Sequence, residues 1–269
     1  MLAETQAPAD ECCRAVRNLD ETQRGAFAMA TPQSLWDYLP YLVAGIPVTL
    51  EITCIAMALA IVVGVILALG RNSQIAVLRW AAGFVIEFFR GSSALVQLFW
   101  AFYVLPFFGI QLPPLIAGIL VLGLNEGSYF SEVVRAGLDA VPKGQREAAV
   151  TLGLPFHYRL FRIVLPQALP IMVPPFGNEL ITMLKFTALV SLVTVQDLSF
   201  RASLISSTLG ESGPIFGLTI IIYFVLALLL GGGVRLLERP VSRWAGRDFS
   251  AASPTGRSPI PDWAVGGTR

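Results

Sequence analysis

The residues with chemical potential in this chain are few and lie mostly inside apolar surroundings. Asn125, Glu126, Ser128 and Tyr129 form one polar group, and Glu179 and Lys185 stand alone further on. A charge at the centre of a membrane helix costs about 2.5–3.5 kcal/mol on insertion scales, so such residues mark pathways or tightly paired contacts. Glu126 or Glu179 suits a cationic group of a zwitterion, and Lys185 or the N-terminus of a helix broken at Pro174, Pro175 and Gly177 suits a carboxylate. Structure competes with function elsewhere: Glu132 and Arg135, and likewise Glu87 and Arg90, sit one helical turn apart and read as ion pairs.

Catalysis finds no comparable support. His157 is the single histidine, and no nucleophile, carboxylate or thiol arrangement surrounds it. Cys12 and Cys13 are adjacent and Cys54 lies in an apolar run, a pattern that builds neither a disulfide framework nor a metal site. No G-x-x-x-x-G-K-[ST] phosphate loop occurs, so an energy source would have to sit on another chain. The expectation is a non-catalytic protein with no cofactor or metal of its own.

The elements that carry these residues follow from composition. Of 269 residues, 55% are hydrophobic and only 14% charged, and the net charge of +1 gives no basic face for nucleic acid. A membrane span takes about 20 mostly apolar residues. Residues 52–70 and 215–234 are uncharged and read as one span each. The uncharged run 91–125 is too long for one helix, and Pro106, Gly109, Pro113 and Pro114 divide it into a hairpin. Five spans result, at about 47–70, 76–106, 113–138, 166–196 and 214–237. Residues 1–36 read as a polar tail with no cleaved signal peptide, and 246–269 as a disordered tail rich in Ser, Pro, Gly and Ala. Arginine and lysine concentrate in 71–79, 135–162 and the stretch from Arg235 to Arg247, which places the N-terminus outside and the C-terminus in the cytoplasm.

Between the third and fourth spans lies Glu147-Ala148-Ala149, then Gly153, then Ile163, Leu165 and Pro166. Gln145–Leu152 has length for about two helical turns, Gly153 is placed to end them left-handed, and Pro155 can open the next helix. Ala148 and Ala149 present a small surface and Glu147 a charge.

Written as E-A-A-x3-G-x9-I-x-L-P, this segment resembles the cytoplasmic signature loop of ABC import permeases. Phe88-Phe89-Arg90-Gly91-Ser92, Leu95-Val96-Gln97-Leu98, Gly123-Leu124-Asn125-Glu126-Gly127-Ser128-Tyr129 and Pro174-Pro175-Phe176-Gly177-Asn178 extend the resemblance to type I permeases of the polar amino-acid family. Trp36-Asp37-Tyr38-Leu39-Pro40 and Lys185-Phe186-Thr187-Ala188 are most similar to permeases of ectoine and hydroxyectoine importers. Phe186 stands where many amino-acid permeases carry an acidic residue.

The resemblance implies an all-α integral membrane bundle of five transmembrane helices with the MetI-like fold over residues 37–245, and a coupling loop at 139–165. It further implies a multi-pass subunit of the inner membrane that moves ectoine, hydroxyectoine or a polar amino acid. An ATPase dimer carrying ATP and magnesium, a second permease (a paralogue rather than a copy) and an extracytoplasmic solute-binding protein are the implied partners. The alternative is an ion-gradient-driven secondary transporter or channel, which would call for an inverted repeat and a dedicated ion site; neither is visible.

Overall fold

The computed structural model describes residues 32–210 and 212–244; both expected tails lie essentially outside them. Every regular element described is helical. The helices are α1 (Pro32–Val43), α2 (Ile46–Arg71), α3 (Ala76–Gly91), α4 (Ala94–Phe99), α5 (Pro114–Asp139), α6 (Lys143–Thr151), α7 (Phe156–Tyr158), α8 (Leu165–Phe186), α9 (Leu198–Leu209) and α10 (Ser212–Trp244).

Small residues set the centre of the bundle. One face of α2 buries Ala56, Ala60, Gly64 and Ala68, and α5 answers with Gly123 and Gly127. A Cβ on Gly64 would stand 2.8 Å from the Phe130 ring and 2.9 Å from the Gly127 carbonyl, so the two backbones approach as closely as glycine allows. Apolar helices in lipid gain nothing from leaving water, which makes this close packing the force that joins them. Ile52, Met57, Leu122, Met183 and Val190 fill the adjoining core between α2, α5 and α8, while Leu42, Leu198, Ala202 and Ile215 join α1, α9 and α10.

Three helical stretches are long and apolar enough to cross a membrane: Tyr38–Arg71, Arg159–Val193 and Ser212–Leu236. The pair Ala76–Gly91 and Ala94–Phe108 makes a fourth if counted as one broken span. Helix α5 has 26 residues, ample length, but Asn125, Glu126, Glu132, Arg135 and Asp139 dilute its apolar half.

The structure differs from the sequence expectation at several elements. The stretch expected as one helix over 76–106 bends by 100°. Ser92 and Ser93 adopt extended backbone (ψ 153° and 129°), which ends α3 at Gly91 and restarts the chain as α4. A π turn at Trp100–Val104 and a 3-10 turn at Leu105–Phe108 then carry it to Gly109, whose φ of 82° favours glycine.

Helix α8 is unbroken through Pro170, Pro174 and Pro175, contrary to the expected break and the helix N-terminus it would have offered a carboxylate. In a bundle, neighbouring helices hold a proline-bearing helix in place. Gly177 lies directly against Val234 of α10, and Ala168 and Met172 pack in the α5 cluster. Where the break was not expected, α8 tightens into a 3-10 turn at Thr187–Val193 and stops at Thr194, which takes a left-handed φ of 67°.

Two further helices escaped the sequence reading. α1 precedes the first expected span, and α9 lies between the expected fourth and fifth spans. Asp197 caps α9 by accepting the Phe200 amide at 2.8 Å, and Gly210 closes it at φ 73°.

Candidate functional site

The signature segment forms a compact projection at the end of α5. Ala140 and Val141 lead out of α5, Pro142 opens α6, and Leu152 and Gly153 close it through bonds to Ala148 and Val150 carbonyls. Gly153 has φ 68°, the left-handed value expected for it. Helix α6 runs over Lys143–Thr151 against the expected Gln145–Leu152. Its inner side buries Ala149 and carries Arg146 beside Asp139; its outer side exposes Glu147, Ala148 and Val150. Pro155 then starts the return, with its carbonyl accepting the Arg159 amide at 3.1 Å.

The return is helical from Phe156, next to Pro155. A π turn spans Arg159–Val164 and contains Ile163, after which Leu165 and Pro166 begin α8. From Phe156 the chain is helical without interruption into α8, and Leu152–Pro155 join it to α6. On the other flank, charges lace α6 to the bundle. Arg146 lies 4.0 Å from Asp139, Asp139 3.6 Å from Arg135, and Arg135 donates to Glu132 at 2.6 and 2.8 Å. Glu132 also faces Arg90 at 3.8 Å and Arg71 at 3.9 Å. The expected Glu132–Arg135 pair is present. Glu87, by contrast, pairs with Arg71 at 3.4 Å, while Arg90 lies beside Glu132 of α5.

Deeper in the bundle, the polar residues of α5 divide by partner. Asn125 is buried, and its amide donates to the Phe89 carbonyl at 2.9 Å and to Gln97 Oε1 at 3.2 Å. Gln97 in turn donates to Phe89 O at 3.0 Å and Ser92 Oγ at 2.6 Å. Tyr129, one turn beyond Asn125, donates to the Arg90 carbonyl at 3.3 Å while the Arg90 guanidinium sits over its ring. These side chains take up the carbonyls that α3 leaves bare where it ends. Ser128 is satisfied within its own helix by the Leu124 carbonyl at 3.0 Å.

Glu126 is the exception. It is 1% exposed, and its Oε2 has no hydrogen-bond partner among the described residues. Glu179 of α8 is the carboxyl beside it. A buried carboxyl oxygen without a partner is costly, and a cation or amide donor would relieve it. Lys185 is exposed at the end of α8, a turn and a half from Glu179 along the helix.

A second polar cluster was missed from sequence. Asp197 is fully buried where α9 meets α10, and Tyr223 donates to its Oδ2 at 3.4 Å while sharing a 3.0 Å bond with Ser199. Thr49 of α2 accepts the Leu198 amide at 3.1 Å, and Arg201 reaches the Tyr41 carbonyl at 3.2 Å. Burial pushes the Asp197 carboxyl up to about 6, outweighing the bonds that favour its anion. An aspartate two residues before a serine, ahead of an apolar run, was the available capping signal.

The site thus consists of a helical bundle with polar groups along its interior and the exposed α6 helix at one end. The chain belongs to the family of binding-protein-dependent transport system inner membrane components, whose model matches residues 60–243. It is 39% identical over 216 residues to the probable amino-acid ABC transporter permease protein y4tF of Sinorhizobium fredii, covering 78% of this chain and 91% of that one. It is 35% identical to the L-cystine transport system permease protein TcyB of Bacillus subtilis, covering 80% and 91%. A crystal structure of an amino acid ABC transporter with histidines matches at a TM-score of 0.73 and 33% identity, over 79% of this chain and 99% of that chain.

The fold is thus the all-helical type I ABC permease fold, and the chain is a multi-pass inner-membrane permease subunit of an amino-acid ABC importer. The family works with ATPase and solute-binding partners.

Proposed function

We propose that this chain forms half of a pathway for a small polar or zwitterionic solute, ectoine or hydroxyectoine or a polar amino acid, with a paralogous permease as the other half. The motifs at Trp36–Pro40 and Lys185–Ala188 support the compatible-solute reading, and relatives named for cystine and arginine transport support the amino-acid one. Five spans, with α5 as the third, put the N-terminus outside and α6 in the cytoplasm. The permease unit occupies 37–245, with polar tails on either side.

In this account Glu147, Ala148, Ala149 and Gly153 dock the ATPase, while Ile163, Leu165 and Pro166 carry its motion into α8. ATP and magnesium remain on the partner. Closure of the ATPase dimer pushes α6, and the continuous helix from Arg159 tilts α8 against α5. That motion changes the spacing of Glu126 and Glu179, which face the cationic end of the solute. Asn125, Ser128 and Tyr129 line or stiffen this passage, and Lys185 receives the anionic end near the outer mouth.

The observation that carries the reading is the geometry of α6: an exposed Glu147–Ala148 face, ended by left-handed Gly153 and followed after the short turn 152–155 by a helix that runs on into α8. Glu147→Lys reverses the docking charge, and Gly153→Asp strains the turn. Either variant is expected to abolish radiolabelled solute uptake at unchanged membrane abundance. Full uptake by both variants would overturn the docking role.

A further inference from the structure

The inner side of α6, turned away from its docking face, borders a second kind of site. A pocket of about 200 Å³ lies between the end of α2, α5, α6 and the Arg159–Val164 turn. Arg146 and Arg159 line it together with Asn72. Arg146 Nε and Nη2 and Arg159 Nε are shielded from solvent and have no hydrogen-bond partner among the described residues. Among the described residues, Asp139 offers a counter-charge, at 4.0 Å from the remaining Arg146 nitrogen. Both side chains are half-buried, but these three shielded donors without acceptors are costly, and an oxyanion with several oxygens satisfies them in a fork.

The pocket is not closed. Leu69, Leu138 and Leu160 form its wall and also the wall of an adjoining groove of about 270 Å³. That groove runs along α2, α5 and α8 past Val134, Leu169 and Phe176, and no polar surface lines it. Its lining residues Phe161 and Leu169 are exposed, so the groove opens on the side of the bundle.

We propose that the pocket and groove together bind one anionic phospholipid of the cytoplasmic leaflet. The phosphate sits between Arg146 and Arg159, and one acyl chain lies in the groove. Continuity between basic pocket and apolar groove selects a lipid over a free phosphate, which would leave the groove unused. Placement selects it over an acidic side chain of the ATPase, because Arg146 shares the inner side of α6 with buried Ala149 while the docking face points away. Bound there, the lipid braces α6 and the π turn against the bundle.

The test is native mass spectrometry of the full-length protein in detergent with added phosphatidylglycerol or phosphatidylcholine. Wild type is expected to retain phosphatidylglycerol about tenfold more than phosphatidylcholine, the value of one or two charge-assisted contacts. Arg146→Gln with Arg159→Gln removes the preference; if that variant does not fold, the Arg146→Lys, Arg159→Lys pair is expected to keep only part of it. Leu169→Trp obstructs the groove, leaves both arginines, and is expected to lower retention of phosphatidylglycerol. Equal retention of both lipids by wild type overturns the proposal. So does displacement by inorganic phosphate with Leu169→Trp behaving as wild type, which identifies a free-anion site. Loss of the lipid on adding the ATPase assigns the arginines to that partner and overturns it as well. None of these readouts depends on transport, so failure here leaves the importer reading standing.

Discussion

At Asp197 the carboxyl accepts the Phe200 amide and the Tyr223 hydroxyl while no solvent reaches it. Its folded pKa lies near 6, above the ordinary value, so the folded state holds the proton more tightly than the unfolded chain. The stabilising contribution is therefore full below about pH 4 and is lost as pH rises through about 6. The change amounts to at most about 3 kcal/mol, from 1.36 kcal/mol per unit. Asp197→Asn keeps an acceptor at the cap and removes the titration. Thermal unfolding in detergent is expected to show wild type losing stability across that window relative to the variant; parallel pH profiles would contradict it. Single residues also mark the limit of sequence reading. Asn125 was visible as a polar group in an apolar helix, but its bond to Phe89 depends on a helix end 36 residues away.

Among the elements, spacing revealed what is local and hid what is imposed from outside. Length and apolarity sufficed for α2 and α10, and Gly153 marked the end of α6 because only a residue without Cβ takes that backbone freely. The 100° bend at Ser92–Ser93 was illegible because its acceptors are satisfied by Gln97 and Asn125, from two other helices. Continuity of α8 through three prolines was hidden for a similar reason: packing against α10 and α5 overrides the local penalty. Packing at the α2–α5 contact yields a prediction of its own. A Cβ on Gly127 would already stand 3.0 Å from Val63, so Gly127→Val forces the helices apart. The expected loss is about 1–3 kcal/mol or more, read as a lower unfolding midpoint. A midpoint equal to wild type would mean that this contact does not hold the bundle together.

For the whole molecule, the expected sidedness rests on the charged loops, while the number of crossings rests on α5 and the bent α3–α4 pair. In a background with Cys12, Cys13 and Cys54 replaced by serine, Ser207→Cys on α9 is expected to react with a membrane-impermeant thiol reagent added outside intact cells. Gly144→Cys on α6 is expected to react only after lysis. The reverse pattern would invert the orientation and put the docking helix out of reach of ATP. The central claim is that this chain is a pathway subunit that works only with an ATPase docked on α6. Mass spectrometry of what co-purifies with the full-length protein from mildly solubilised native membranes tests it most directly. An ABC ATPase, a second permease and a solute-binding protein are expected in the eluate. A stable protein recovered without any ATPase, even after cross-linking through residues 144–157, would contradict the account.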